Sequence, residues 1–293
     1  MKIRTCLLAA CLLPVFLAAQ HREVPLLGKC SPDDFRKEPY AEWYTANYAA
    51  YEPHPEIISQ LETFNRKGYA VTVFLGTWCG DSRREVPRFM KVLDAAGFPQ
   101  EAVTLIAVSA EDSVYKQSPT HEERARHIYR VPTFILWDKG REINRIVEIP
   151  VVSPERDLLA ILKGAYTPAY ESYPYLSQWF DEGILNDGNL SHRGLARRIK
   201  PLAQSVGELN TCGYVLSKSG GKGQEAAINV FKINAYLYPE AWQPFMYLAR
   251  ALYERGDYSQ ALEAIRKAIE LNGETKNVRS LLEMEDKIRI FLF

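Results

Sequence analysis

Hydrophobic and polar positions follow two different regimes along the chain. Between residues 56 and 165, short apolar runs of strand length alternate with amphipathic stretches of helical period. The predicted strands are residues 69–75, 103–108, 134–137 and 141–149, and the predicted helices are residues 56–67, 83–96, 120–129 and 155–163. From the first strand onwards, the order β-α-β-α-β-β-α predicts a small α/β domain with a parallel central pair of strands and an antiparallel hairpin at one edge.

From residue 206 to the end of the chain, the apolar positions are helical throughout and the pattern repeats. Residues 225–239 align with residues 259–273 at an offset of 34, which places Phe231 over Ile265. This period and its small-then-large apolar pattern resemble tetratricopeptide repeats, which are stacked pairs of helices. Residues 206–293 are therefore predicted to be an all-α domain of two such repeats with a capping helix. The resemblance implies a surface that binds a peptide or protein, and a helical addition without a ligand is the alternative.

Two further segments flank these domains. Residues 20–55 are predicted to form an N-terminal helical extension, with a helix start at Ser31-Pro32-Asp33-Asp34. Residues 166–205 are predicted to be a linker, marked by Pro168 and Pro174, followed by polar helices. Because an array of this kind usually needs about three repeats, we expect the repeats to pack on these helices or on the α/β domain.

The first 19 residues have the composition of a secretory signal. Two basic residues precede an apolar run, residues 6–19, which is shorter than the roughly 20 residues of a membrane span. We predict cleavage after Ala19 and export of the chain to the periplasm or the extracellular space. No other segment predicts a transmembrane helix. One alternative stays open, because Leu8-Ala9-Ala10-Cys11 resembles a bacterial lipobox, in which Cys11 would carry a lipid anchor.

Composition and charge narrow the classes of function. The 36 lysines and arginines balance 36 aspartates and glutamates, so the chain lacks the net positive charge that attracts nucleic acid non-specifically. Hydrophobic residues make up 47% of the chain and charged residues 25%, as in an ordinary globular protein. The five histidines show no metal-ligand spacing with one another or with the cysteines. We therefore predict no nucleic-acid partner, no metal and no cofactor.

Removal of the signal would leave three cysteines, Cys30, Cys79 and Cys212. An odd number leaves at least one thiol without a partner in the chain, and in an exported protein such a thiol is either buried or reactive. Cys212 falls on the apolar face of a predicted helix and is predicted to belong to a core. Cys30 is interpreted as a loop thiol or as half of a disulfide with Cys212. Nothing in the sequence brings either of them to Cys79.

Cys79 lies in Gly76-Thr77-Trp78-Cys79-Gly80-Asp81-Ser82, where the first predicted strand turns into a helix. Together with Val131-Pro132-Thr133 before the third strand, this segment resembles the active-site turn of the thioredoxin superfamily, and the resemblance covers about residues 56–165. It implies a thioredoxin fold in which Cys79 is the nucleophile and Pro132 is a cis-proline that packs beside it. Since a helix N-terminus favours thiolate over thiol, the position suits a thiol that attacks disulfides.

Three positions depart from the Trp-Cys-Gly-Pro-Cys pattern that is usual in this family. Ser82 stands where the second, resolving cysteine is expected, and Asp81 replaces the proline. Val73 stands where the family carries a buried aspartate, six residues before the nucleophile. A Cys-x-x-Ser site can attack a disulfide, but it has no second sulfur that would release the mixed disulfide. The carboxylate of Asp81 opposes a neighbouring thiolate, although it is itself favourable at a helix start.

The resemblance supports two hypotheses. In the first, the chain is an exported thioredoxin-like protein with a monothiol site, formed by Cys79 with Trp78, Ser82 and Pro132. It would exchange thiols and disulfides of cell-envelope proteins, and its repeats would bind a protein. In the second, it is a non-catalytic scaffold that uses a degenerate thioredoxin fold and the repeats for interaction. The retained Trp-Cys-Gly and Val-Pro-Thr segments favour the first hypothesis, and the three departures favour the second.

Overall fold

The computed structural model describes residues 24–65, 67–273 and 277–292. The predicted signal, with its cleavage site after Ala19 and with Cys11, lies outside these residues. Within the described ranges, no helix combines the length and the apolar character that a membrane crossing requires.

Five strands form one mixed sheet in the order β1-β3-β2-β4-β5. The strands are β1 (Gly28–Cys30), β2 (Tyr69–Leu75), β3 (Val103–Ala107), β4 (Thr133–Asp138) and β5 (Arg141–Val147). β2 and β3 run parallel with Val73 level with Leu105, and each of the other neighbouring pairs is antiparallel. The parallel central pair and the β4–β5 hairpin at one edge of the sheet confirm the predicted α/β arrangement.

Two parts of the sequence prediction for this region are wrong. Strand β1 lies in the segment predicted to be helical. The sequence did not indicate it, because three residues are too few to show an alternating pattern. Residues 120–129, predicted as a helix, form turns instead. Three of them, His121, Ala125 and His127, have positive φ, which a right-handed helix does not allow. The Ser118 hydroxyl also accepts a hydrogen bond from the Glu122 backbone amide. Such local hydrogen bonds to side chains compete with helix formation.

Five helices accompany the sheet. They are α1 (Pro32–Phe35), α2 (Ala41–Ala50), α3 (Pro55–Glu62), α4 (Gly80–Ala95) and α5 (Pro154–Leu162). Ser31 and Asp34 form a capping box on α1, at the predicted helix start. In α4 the buried residues Val86, Phe89 and Leu93 recur at helical spacing, so one face of this helix packs into the core. That core covers one face of the sheet and includes Val73 and Leu105.

The described residues after α5 are mostly helical. The helices are α6 (Ser172–Asp181), α7 (His192–Ile199), α8 (Val206–Ser217), α9 (Lys222–Leu237), α10 (Trp242–Arg255), α11 (Tyr258–Asn272) and α12 (Val278–Arg289). Helix α6 begins at Ser172, before Pro174, so it starts inside the stretch that Pro168 and Pro174 marked as a linker. Phe231 and Ile265, which the repeat alignment places in equivalent positions, are both buried in a single core. The chain is thus an α/β region followed by a helical region.

The helical region packs against the α/β region, as we expected for so short an array. Its core includes Tyr129 and Val147 from the α/β region. The loop between β3 and β4 contacts α8 and α10 through Asp112, whose carboxylate pairs with Lys218 at 3.2 Å and with Arg250 at 2.7 Å. This loop also carries Tyr115, which links the two regions next to the candidate site.

Candidate functional site

Cys79 lies where the chain passes from β2 into α4. It is the N-cap residue of α4, with extended backbone angles, and its carbonyl oxygen accepts a hydrogen bond from the Arg83 amide at 3.0 Å. Its own amide donates to the Gly76 carbonyl at 2.9 Å, which closes the turn before the helix. The half-buried thiol is therefore placed at the positive end of a 16-residue helix.

Trp78 is held by a hydrogen bond and by contacts of its indole ring. Its Nε1 donates to the Val108 carbonyl at 2.8 Å, and its ring centroid lies 5.8 Å from that of Tyr115. The indole also covers Gly76 closely, because a Cβ atom at that position would lie 2.5 Å from the ring. Glycine is thus required at position 76 for the tryptophan to occupy this place beside Cys79.

The loop that contains Pro132 lies against the thiol. The Val131–Pro132 peptide bond is cis, and Cys79 Sγ donates to the Val131 carbonyl at 3.3 Å. Cys79 and Trp78 pack together with Val131 in a hydrophobic cluster on the opposite face of the sheet from the main core. The structure therefore brings together Trp78, Cys79 and the Val131-Pro132 loop, which are distant in the sequence.

Ser82 is completely buried, and its Oγ accepts a hydrogen bond from the Gly76 amide at 3.1 Å. This hydrogen bond stabilises the turn that contains Cys79. A serine at this position supplies no second thiol. Asp81, next to it, pairs with Arg84 at 2.8 Å. Its carboxylate therefore has a cationic partner on the same helix. Val73 is buried in the apolar core, so no carboxylate takes the place of the missing aspartate there.

The three cysteines of the described residues are free thiols, and they lie in three separate hydrophobic clusters. Cys30 packs in the core on the other face of the sheet, where burial raises the pKa of its thiol to about 12. Cys212 lies in the core of the helical region, as predicted, and burial raises the pKa of its thiol far above the ordinary value. The predicted alternative of a Cys30–Cys212 disulfide is wrong for this structure. Neither residue belongs to the cluster that contains Cys79.

Charged side chains beside the loop that contains Pro132 are the part of the site that the sequence did not indicate. Lys116 is buried, and its Nζ donates to the Tyr129 carbonyl at 2.6 Å. Arg130 binds both carboxylate oxygens of Glu148, at 2.7 and 2.8 Å. The one available signal was that Arg130 directly precedes Val131 and Pro132. Lys116 lies in a loop without a motif, so only the folded chain shows its position.

Among the residues that the structure describes, no group of three or more histidine, cysteine, aspartate or glutamate side chains could hold a metal ion.

The chain was also compared with known proteins. No protein-family model, no curated protein and no solved structure matches it. What the site can do chemically therefore follows from its own geometry.

Proposed function

We propose that this protein is an exported, thioredoxin-like protein that acts in thiol-disulfide exchange through Cys79 alone. The observation that carries the proposal is the position of the half-buried Cys79 thiol, at the start of α4 and 3.3 Å from the Val131 carbonyl beside Pro132. The thiolate of a cysteine is the attacking species in disulfide exchange. The fixed indole of Trp78 and the neighbouring proline loop support a surface on which an extended peptide can lie.

The proposed reaction has two exchange steps. The Cys79 thiolate attacks one sulfur of a substrate disulfide, an S–S bond forms to Cys79, and the other substrate sulfur leaves as a thiolate that takes up a proton. A small external thiol, deprotonated in solution, then attacks the mixed disulfide. This attack forms a disulfide between the external thiol and the substrate sulfur and returns the Cys79 thiolate. The external thiol is needed because Ser82 is not a resolving cysteine.

We further propose that residues 206–293 are a tetratricopeptide-like array that holds a protein partner near the thiol. The consecutive helices α8 to α11 and the equivalent burial of Phe231 and Ile265 support this proposal. Tyr214 of α8 lies with its ring centroid 5.1 Å from that of Tyr115, which itself contacts Trp78. A protein bound on the helical region would therefore reach the Cys79 side of the α/β region.

Export is part of the proposal, because protein disulfides form and persist in the oxidising compartments outside the cytoplasm. The mature chain is expected to begin near Gln20. Intact-mass measurement of the native protein tests this, and a chain that retains residues 1–19, or carries a lipid on Cys11, contradicts it.

The test of the thiol chemistry is the formation of a mixed disulfide. Purified protein is incubated with oxidised glutathione and its intact mass is measured, with Cys79→Ser as the matched variant. We expect one glutathione on the wild type, located at Cys79 by peptide mapping, and none on the variant. The variant should retain its stability within about 1 kcal/mol, because the side chain is only half-buried and serine has nearly the same size. A wild type that stays unmodified would favour the scaffold function. The presence of Ser82 in place of a second cysteine also favours that function.

A further inference from the structure

An ion pair holds the loop that contains Pro132. Arg130, two residues before Pro132, binds both oxygens of the Glu148 carboxylate, at 2.7 and 2.8 Å. The Glu148 backbone amide donates in turn to the Pro132 carbonyl at 2.7 Å. Between these two attachments, the Val131 carbonyl accepts the hydrogen bond from Cys79 Sγ. The residue that contacts the thiol is therefore held through both of its neighbours in the chain.

Two tyrosines of the helical region bind this ion pair. The hydroxyl of Tyr173, on α6, accepts a hydrogen bond from Arg130 Nε at 2.7 Å, and the hydroxyl of Tyr170, just before α6, donates to the Glu148 carboxylate. Arg130 Cζ also lies 4.5 Å from the centre of the Tyr170 ring, and the two tyrosine rings are stacked with their centroids 5.1 Å apart. Each member of the pair is thus bound by a side chain of the helical region.

Net stability is a weak reason for such a pair. The side chains of Arg130 and Glu148 are only 18% and 20% exposed, so the hydration that they lose offsets much of the attraction between them. A bidentate contact between arginine and carboxylate does fix orientation, because the planar guanidinium presents its donors in one geometry. The two tyrosine hydroxyls restrict that orientation further.

The arrangement is therefore suited to set the position of the proline loop. Loss of either tyrosine hydroxyl would leave the Arg130–Glu148 pair with fewer constraints, and the loop would follow the pair. A group that positions a substrate needs to be displaced only slightly to cost a large factor in reaction rate. A peptide that lies along the loop would be sensitive to such a displacement, whereas a reagent too small to contact the loop would not.

We propose that Tyr170 and Tyr173 are positioning residues through which the helical region places the proline loop for a peptide disulfide at Cys79. The inference rests on the proposed thiol chemistry of Cys79. It gives the helical region a part in the reaction itself, in addition to the binding of a protein partner. The two tyrosines act through Arg130 and Glu148, which hold the loop, and not through contact with the thiol.

The experiment compares two reactions of Cys79 in wild type, Tyr170→Phe, Tyr173→Phe and Tyr175→Phe. The first uses a synthetic peptide whose cysteine is joined to thionitrobenzoate. The Cys79 thiolate attacks the peptide sulfur, a disulfide to the peptide forms, and thionitrobenzoate leaves as a thiolate. The second is alkylation by iodoacetamide, which needs the thiol but no peptide surface. Peptide mapping measures both products, and Tyr175→Phe is the control, because Tyr175 is an exposed tyrosine of α6.

At pH 7, Tyr170→Phe and Tyr173→Phe should react with the peptide about three- to tenfold more slowly than wild type and with iodoacetamide at the wild-type rate. Tyr175→Phe should match wild type in both reactions. Near-UV circular dichroism identifies the folded variants, and the half-buried Tyr170 provides the test if the buried Tyr173 does not tolerate the change. Unchanged peptide rates in the folded variants, or rates that fall equally with both reagents, overturn the inference.

Hydrogen exchange decides the inference separately from the proposed function. A wild type that iodoacetamide alkylates at Cys79 but that does not react with the peptide disulfide would contradict the proposed function alone. The Glu148 amide, which donates to the Pro132 carbonyl, then reports on the loop. It should lose protection against exchange in Tyr170→Phe, while the amides of β2 keep theirs. Equal protection of the Glu148 amide in the wild type and this variant overturns the inference.

Discussion

The Ser82 hydroxyl accepts a hydrogen bond from the Gly76 amide across 3.1 Å, in a place that solvent does not reach. This bond joins the end of the turn to its beginning and fixes the segment that presents Cys79. Ser82 lies three residues after Cys79, one turn along α4, where side chains at this spacing are neighbours. A sulfur at position 82 would therefore lie on the same side of the helix start as the Cys79 thiol.

The first prediction concerns Ser82→Cys. A thiol at this position can attack the Cys79 sulfur of the mixed disulfide and release the substrate as a thiol, so the variant should gain turnover. Reduction of insulin disulfides with an external dithiol should be weak in wild type, clearly faster in Ser82→Cys and absent in Cys79→Ser.

Ser82→Ala is the control for the lost hydroxyl. It leaves the buried Gly76 amide without its acceptor, which should cost about 1–3 kcal/mol of stability with no gain in turnover. If Ser82→Cys is as inert as Cys79→Ser, the double variant with Asp81→Pro should be measured. Activity of this double variant would show that Asp81 prevents a disulfide substrate from reacting. Inactivity of that double variant would favour the scaffold function.

The second prediction is the order in which the thiols react. Cys79 is half-buried at a helix start, whereas burial raises the pKa of the Cys30 thiol to about 12 and that of Cys212 further still. At pH 7 the two buried thiols carry almost no thiolate, so iodoacetamide should label Cys79 first. Peptide mapping after short exposures measures this order. Faster labelling of Cys30 or Cys212 would be incompatible with the proposed site.

The sequence was sufficient for the parts of the fold that rest on long periodic patterns. The apolar run of β2 and the helical spacing of Val86, Phe89 and Leu93 in α4 are local signals, and the structure shows both. The repeat offset likewise indicated that Phe231 and Ile265 share a core environment.

What the sequence did not reveal depends on contacts that form only in the folded chain. Strand β1 exists because its three residues pair with Leu105 to Ala107, and nothing in Gly28-Lys29-Cys30 alone indicates a strand. Lys116 looks like a surface lysine until the helical region and the proline loop enclose it. The turns at residues 120–129 have a different cause, because a local bond from the Glu122 amide to the Ser118 hydroxyl competes with helix formation there.

The third prediction tests packing within the helical region. In α8, a Cβ atom on Gly213 would lie 2.5 Å from the Phe231 ring, which is itself stacked on Tyr247 at 5.6 Å. Gly213→Ala should therefore destabilise the protein by about 1–3 kcal/mol through overpacking.

Gly207 in the same helix is the matched control, because its nearest atom, the Ser205 Oγ, would lie 3.6 Å from the added Cβ. Gly207→Ala should raise stability by up to about 1 kcal/mol, since alanine favours helix over glycine. Urea unfolding measures both changes. Equal stability of the two variants would contradict the packing of α8 against α9.

The fourth prediction is the pH dependence of the contact between the two regions. Asp112 accepts a hydrogen bond from the Tyr214 hydroxyl and pairs with Lys218 and Arg250, and these partners lower the pKa of its carboxyl from 3.8 to about 2. Because the unfolded chain binds the proton first, the stability from Asp112 is fully present above pH 3.8 and is lost as the pH falls towards 2. Asp112→Asn should thus be less stable than wild type at pH 6, and the difference should shrink towards pH 2.

Urea midpoints of the two proteins at pH 6 and at about pH 2.5 measure this loss. Glu111→Gln removes the same charge one residue earlier, where no ion pair to α8 or α10 is present in the described part of the chain, and its midpoint should differ little from wild type at either pH. Because the Asp112 carboxylate is largely exposed, added salt should also reduce the difference at pH 6. A difference that stays constant from pH 6 to pH 2.5 would show that Asp112 joins the two regions through its shape and hydrogen bonding, and not through its charge.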